Sequence, residues 1–182
     1  MSHNIAGIDL TPPTTSGLSR QFLLWLINNF SRIREFVTTA INGAMYFSTP
    51  TATVIAVAGT WVKLAGTTTI VDSPRGVSMS ANNRWLATAH DEQHVEVKCV
   101  LTFDSSGNNQ VIEFAIFKNG IVVPGSTTET KLKASGDVQQ VTVLADIDIE
   151  VGDYLEIWTA NETSTASVTV SYGQFHVTAH LH

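Results

Sequence analysis

The spacing of apolar positions changes once along this chain. Before residue 42, Phe22, Leu26, Phe30, Ile33, Val37 and Ala40 recur at intervals of four and three. That interval places them on one face of an α-helix over 18–42. Leu23, Trp25 and Ile27 fall off this stripe, so the first half of the helix is apolar on nearly every side. Ser16 or Ser19 supplies an N-cap oxygen. Asn42-Gly43 is expected to end the helix, because both residues tolerate the left-handed conformation. Upstream, residues 1–17 combine Ile5, Ile8 and Leu10 with Thr11-Pro12-Pro13-Thr14, and two prolines exclude both helix interior and central strand. An extended arm is expected there, ordered against a partner or against the body of its own protein. One helix cannot cover so much apolar surface by itself. Phe22, Leu26, Phe30, Ile33 and Val37 are therefore candidate oligomer or anchor-interface residues, with packing on the rest of the chain as the alternative.

From residue 43 onward the period is two. Val95, Val97, Cys99, Leu101 and Phe103 alternate with polar neighbours, as do Val141, Val143, Ala145 and Ile147. Strands are expected at 44–48, 53–57, 60–64, 84–88, 94–103, 110–118, 126–131, 138–147, 154–160 and 167–181. Turn residues separate them, and Asn119-Gly120 between two apolar runs is a strong hairpin signal. In the last strand Val168, Val170 and Tyr172 share one parity, and Phe175, Val177, Ala179 and Leu181 the other. A β-bulge at Gly173-Gln174 would produce that switch. Short strands with no helix between them predict an all-β fold over 43–182: an antiparallel sandwich or jelly roll.

Composition narrows the function classes. Only 14% of residues are charged, where about 25% is usual. A surface so poor in charge suits a β-rich chain that hides part of itself in an oligomer. The net charge of −6 and the lack of basic runs argue against nucleic acid. The start Met1-Ser2-His3-Asn4 lacks signal-peptide form, and the apolar run at 22–27 is far shorter than the ~20 residues of a membrane span. A chain made without secretion and free of the membrane is expected.

Few residues suggest chemistry. His176, His180 and His182 share a parity and are candidate metal ligands, against the alternative of a solvated tail. His90, Asp91, Glu92 and His94 form a polar run that reads as a solvated loop or a weak metal or glycan site. Asp146, Asp148, Glu150 and Asp153 could offer oxygens to Ca²⁺, but lack the glycine-punctuated spacing of calcium loops. Cys99, the only cysteine, has inward parity and reads as core. No nucleophile elbow, phosphate loop or His-Glu-x-x-His is present, so an enzyme is not expected. Trp61, Trp85 and Trp158 either stack on sugars or fill core and interface; Trp61 and Trp85 are the candidate glycan contacts.

Several stretches together carry a family resemblance. They are Gly43-Ala44-Met45-Tyr46-Phe47, Gly59-Thr60-Trp61-Val62-Lys63-Leu64-Ala65-Gly66, Phe114-Ala115-Ile116-Phe117-Lys118-Asn119-Gly120, Gly152-Asp153-Tyr154-Leu155-Glu156-Ile157-Trp158 and Val168-Thr169-Val170-Ser171-Tyr172. Over about residues 43–179 the chain resembles phage virion proteins whose jelly roll is like the globular heads of complement and tumour necrosis factor. The resemblance implies a homotrimer in a capsid decoration or cement protein, a head fibre, or a tail fibre. It implies location in the virion, assembled in the host cytoplasm. The partners it implies are other copies of the chain and the major capsid protein or other virion proteins, with a host glycan as a further candidate. It carries no catalytic set and no cofactor. The closing His176-Val177-Thr178-Ala179-His180-Leu181-His182 departs from the usual short apolar end.

Overall fold

The computed structural model describes residues 4–5, 8–9, 20–39, 41–71, 74–80, 82–88 and 93–179, with backbone alone at 4–5, 8–9, 20 and 33–39. It separates into two units, residues 1–40 and 41–182.

The first unit holds a two-residue antiparallel pair, β1 (Asn4–Ile5) with β2 (Ile8–Asp9), and the helix α1 (Arg20–Thr39). Ser16, Ser19 and the proline segment lie outside the described residues. The helix ends before Asn42, which begins a strand instead of ending the helix. Neither Asn42 nor Gly43 has a positive φ. Gly43 serves a different purpose: a Cβ there would lie 3.0 Å from Cη2 of Trp85.

The second unit is two antiparallel sheets. Its strands are β3 (Asn42–Thr49), β4 (Ala52–Thr53), β5 (Val62–Lys63), β6 (Thr67–Ile70), β7 (Val77–Ser80), β8 (Arg84–Ala87), β9 (Gln93–Ser105), β10 (Gln110–Lys118), β11 (Ile121–Val122), β12 (Thr128–Leu132), β13 (Gln139–Ile149), β14 (Tyr154–Asn161) and β15 (Val168–Ala179). The first sheet runs β13-β9-β15-β3-β6, with β4 beside β15; the second runs β11-β10-β14-β8-β7, with β12 on β10 and β5 on β14. The connections β8–β9, β9–β10, β12–β13, β13–β14 and β14–β15 each cross from one sheet to the other, while β10 and β12 pair within one sheet. That order is a jelly roll.

Alternation explains the core. Val95, Val97, Cys99, Leu101 and Phe103 of β9 are all fully buried. They meet Ile112, Phe114 and Ile116 of β10 within one cluster, with Phe103 and Phe114 edge to face at 4.6 Å. Cys99 is core, and burial pushes its thiol pKa up. Asn119-Gly120 turns β10 into β11 with φ values of 54° and 78°, the pair of positive angles that a type I′ hairpin requires.

Five strands depart from expectation in this unit. β6 and β7 were not expected; Thr68 of β6 occupies an inward position and is 5% exposed, so the strand lacks an apolar stripe. The strands expected at 53–57 and 60–64 shrink to β4 and β5, because 54–61 runs as a loop with Val54 and Val57 exposed and Ile55 buried. The bulge in β15 lies between Val170 and Tyr172, two residues earlier than expected. Tyr172 therefore points outward, 74% exposed, instead of joining Val168 and Val170 inside. Gly173 is required for another reason: a Cβ on it would come 2.6 Å from Cδ2 of Leu101.

Candidate functional site

The jelly roll presents two outer surfaces of different chemistry. On the first sheet, registry lays outward side chains in rows. One row is Thr69, Tyr46, Gln174, Val100 and Thr142; beside it lie Tyr172, Thr102 and Gln140. Neither row contains a charge. Tyr46 is 40% and Tyr172 74% exposed. Further along, the row Ala44, His176, Lys98 and Leu144 introduces charge, and the far end carries Glu96, Asp146, His94 and Asp148. His94 Nδ1 lies 2.8 Å from Asp148 Oδ1. Asp104, paired with Thr169, puts a charge in the row on the other side. The face thus carries two rows of tyrosine, amide and hydroxyl groups with charged rows to either side.

The second sheet carries a polar and aromatic cluster on its outer surface. Glu156 of β14 is 2% exposed. Its Oε1 accepts from Lys63 Nζ at 2.6 Å and Arg84 Nε at 2.7 Å; Oε2 accepts from Trp158 Nε1 at 3.1 Å. Burial raises the Glu156 pKa, but the three donors outweigh it and hold the carboxyl below the ordinary carboxylate range. Arg84 also sits over the Tyr154 ring, 4.4 Å from its centroid. Beside this group Phe117 is stacked with Trp158 at 4.5 Å and tilted against Trp61 at 5.5 Å. Registry explains the meeting: Lys63 opposes Trp158, Arg84 opposes Glu156, and Phe117 opposes Glu156 from the other side.

The expected sites fall out unevenly. Trp85 is not a glycan contact. At 1% exposure it packs edge-on against Phe175 inside the core, because β8 turns Trp85 and Ala87 inward. Trp61 is partly exposed beside the Glu156 cluster. His176 is partly buried on β15 and shares a hydrogen bond with Gln174. His180 and His182 lie outside the described residues, as do His90, Asp91 and Glu92. The four candidate calcium ligands do not converge: Asp148 faces His94, whereas Asp153 engages Lys118, Asn119 and the Glu150 N–H. Among the described residues no group of three His, Cys, Asp or Glu is placed to hold a metal ion. Of the helix residues, Phe22 and Leu26 are partly buried and Phe30 is 65% exposed; the side chains of Ile33 and Val37 are not described. Leu23 and Ile27 are exposed with Phe30, and the spacing of these three makes a second apolar stripe. No described helix is long and apolar enough to cross a membrane.

Sequence reasoning missed the Glu156 cluster. The only local signal was an acidic residue set between Leu155 and Ile157, two positions before Trp158.

Solved structures with similar folds include Eiger TNF from S. frugiperda, at TM-score 0.49 and 9% identity over 77% of this chain and 93% of that one. Murine APRIL matches at TM-score 0.49 and 9% identity, over 75% and 98%. The PRD1 vertex protein P5 matches at TM-score 0.42 and 14% identity, over 80% and 99%. No protein-family model and no curated protein sequence matches the chain.

Proposed function

We propose that the chain is a structural virion protein of a tailed bacteriophage. In this reading it is a homotrimeric capsid decoration, cement or head-fibre protein, held to the shell by its N-terminal arm and helix. The observation that carries the reading is the pair of uncharged, tyrosine-bearing rows on the first sheet's outer face. Tyrosine is enriched, and charge depleted, at the centre of protein interfaces. A heterologous contact, this face of each copy against a different patch of the next, would close a ring of three copies. The stripe Leu23, Ile27 and Phe30 gives the helix an apolar face of its own for a capsid subunit or a neighbouring helix. Attachment would rest on apolar burial, at ~25 cal/mol per Å², multiplied over the copies.

The test is the mass in solution by light scattering, for the natural chain and for Tyr172→Lys combined with Tyr46→Lys. A mass near three times 19.7 kDa that falls to the monomer in the double variant supports the reading. A monomeric natural chain, or a trimer indifferent to both changes, overturns the proposed contact. Co-sedimentation with assembled capsids then tests attachment, with Phe30→Asp expected to weaken it.

A second reading is a receptor-binding tail-fibre or spike tip that recognises host surface glycans. The partly exposed Trp61 and Trp158 beside fixed cations favour it.

A further inference from the structure

The second sheet's cluster is built more heavily than packing requires. Two cations converge on one buried carboxylate, so the group carries a surplus positive charge in a chain of net charge −6. Arg84 commits only its Nε to Glu156, and its side chain is 44% exposed. The ion pair and the Tyr154 ring fix the guanidinium plane from two sides. Its terminal nitrogens keep the paired geometry that suits a carboxylate. Lys63, 25% exposed, brings a second ammonium to the same place. Trp61 and Trp158 are partly exposed; Trp158 donates to Glu156 and stacks on Phe117, and Trp61 is tilted against that same Phe117 ring. Flat apolar rings next to pre-oriented donors match a pyranose, which has an apolar C–H face and a rim of hydroxyls. The surplus charge selects a sugar with an acidic group.

We propose that Trp61, Trp158, Lys63 and Arg84, aligned by Glu156, form a binding site for a carboxylated sugar of the hexuronate class. Arg84 meets the sugar carboxylate, Lys63 a hydroxyl or the same carboxylate, and Trp61 the ring face. Glu156 is a positioning residue: it touches the two cations and the Trp158 indole. Because those side chains are already immobilised, binding costs little further ordering. The surface is shallow, so the dissociation constant for one monosaccharide is expected on the order of 1 mM. The proposal is independent of how the chain assembles.

The full-length chain, labelled with ¹⁵N, contains four tryptophans and so four indole N–H signals. Titration with glucuronate should move the Trp61 and Trp158 signals and leave those of buried Trp85 and helical Trp25 in place. Glucose should move them far less, since it lacks the charge. Arg84→Lys should weaken glucuronate binding roughly tenfold or more, the worth of one charge-assisted contact, and Trp61→Ala should weaken it by a similar factor through loss of the apolar ring contact. Arg84→Lys keeps the charge and the pairing with Glu156, so an unchanged spectrum elsewhere confirms that the variant folds. The proposal is overturned by an absence of shifts at concentrations far above the expected constant. It is overturned equally if glucose binds as well as glucuronate, or if both variants bind as well as the natural chain. Glucose 6-phosphate separates carboxylate from phosphate; preference for it would refute the hexuronate assignment.

Discussion

Asn83 offers a sharp test of what holds the two sheets together at one edge. It lies in the turn between β7 and β8 with φ of 62° and no exposed surface. Its Nδ2 donates to Ile157 O at 3.0 Å and to Leu64 O at 3.3 Å, and its Oδ1 accepts from Ile157 N at 3.3 Å. Its own N–H donates to Thr68 Oγ1, whose hydroxyl donates to Ser80 O. One side chain therefore ties β14 to the segment after β5, and its backbone ties both to β6. Replacement by alanine removes the three side-chain bonds. Ile157 O keeps a donor in Leu64 N, leaving Leu64 O and Ile157 N to lose a partner. Each unsatisfied buried group costs about 1–3 kcal/mol. The left-handed backbone costs about 1–2 kcal/mol for a residue with a Cβ, and alanine bears that cost as asparagine does. Asn83→Ala should thus lose roughly 2–6 kcal/mol, a large share of the roughly 5–15 kcal/mol typical of a domain. Asn83→Gly should be equally or slightly less destabilised: relief of the backbone exceeds the added unfolded-state freedom of about 0.4–1 kcal/mol. Urea unfolding followed by tryptophan fluorescence measures both. An alanine variant within about 1 kcal/mol of the natural chain would refute the hydrogen-bond argument. A glycine variant clearly less stable than the alanine one would refute the backbone argument.

Three further outcomes are expected. The Glu156 pKa is depressed on folding, so its contribution is fully present above the unfolded value of about 4.3 and is lost as pH falls through the lower folded value. Thermal melts across that acid window should show this loss in the natural chain and a reduced one in Glu156→Gln. Gly173→Ala drives a methyl against Leu101 and should cost about 1–3 kcal/mol in the same urea assay, with Gly173→Ser no better. Cys99 should resist an aromatic disulfide reagent in the native state and react at the rate of unfolding, because the buried thiol offers almost no thiolate. Rapid labelling under native conditions would contradict its place in the core.

What could be read from the sequence was whatever repeats along a long strand. Eleven residues of β13 and thirteen of β9 alternate often enough to set their phase, and Asn119-Gly120 announces its turn. Short elements defeat the same reasoning. The four residues of β8 cannot show which parity faces inward, so Trp85 looked available to a ligand when it is core. β6 hides behind Thr68, whose place inside is secured by hydrogen bonds to Ser80 and Asn83 instead of by hydrophobicity. The bulge was visible as a change of parity, but its site was not: glycine drew attention to 173, while the extra residue is Ser171. The Glu156 cluster was illegible for a different reason. Lys63, Arg84 and Glu156 are separated by up to 93 positions and meet only through strand pairing.

The placement of the two surfaces has a consequence for valency. A jelly roll is two sheets about 10 Å apart, each with one face inward. The tyrosine rows and the Glu156 cluster therefore look in opposite directions and cannot compete for the same neighbour. A closed ring that uses the first surface and leaves the second free displays the second once per member. A ligand repeated along a polymer or across a cell would then meet several platforms at once. Contacts too weak to matter singly can gain about 10²–10⁴ in avidity when the spacing allows simultaneous engagement.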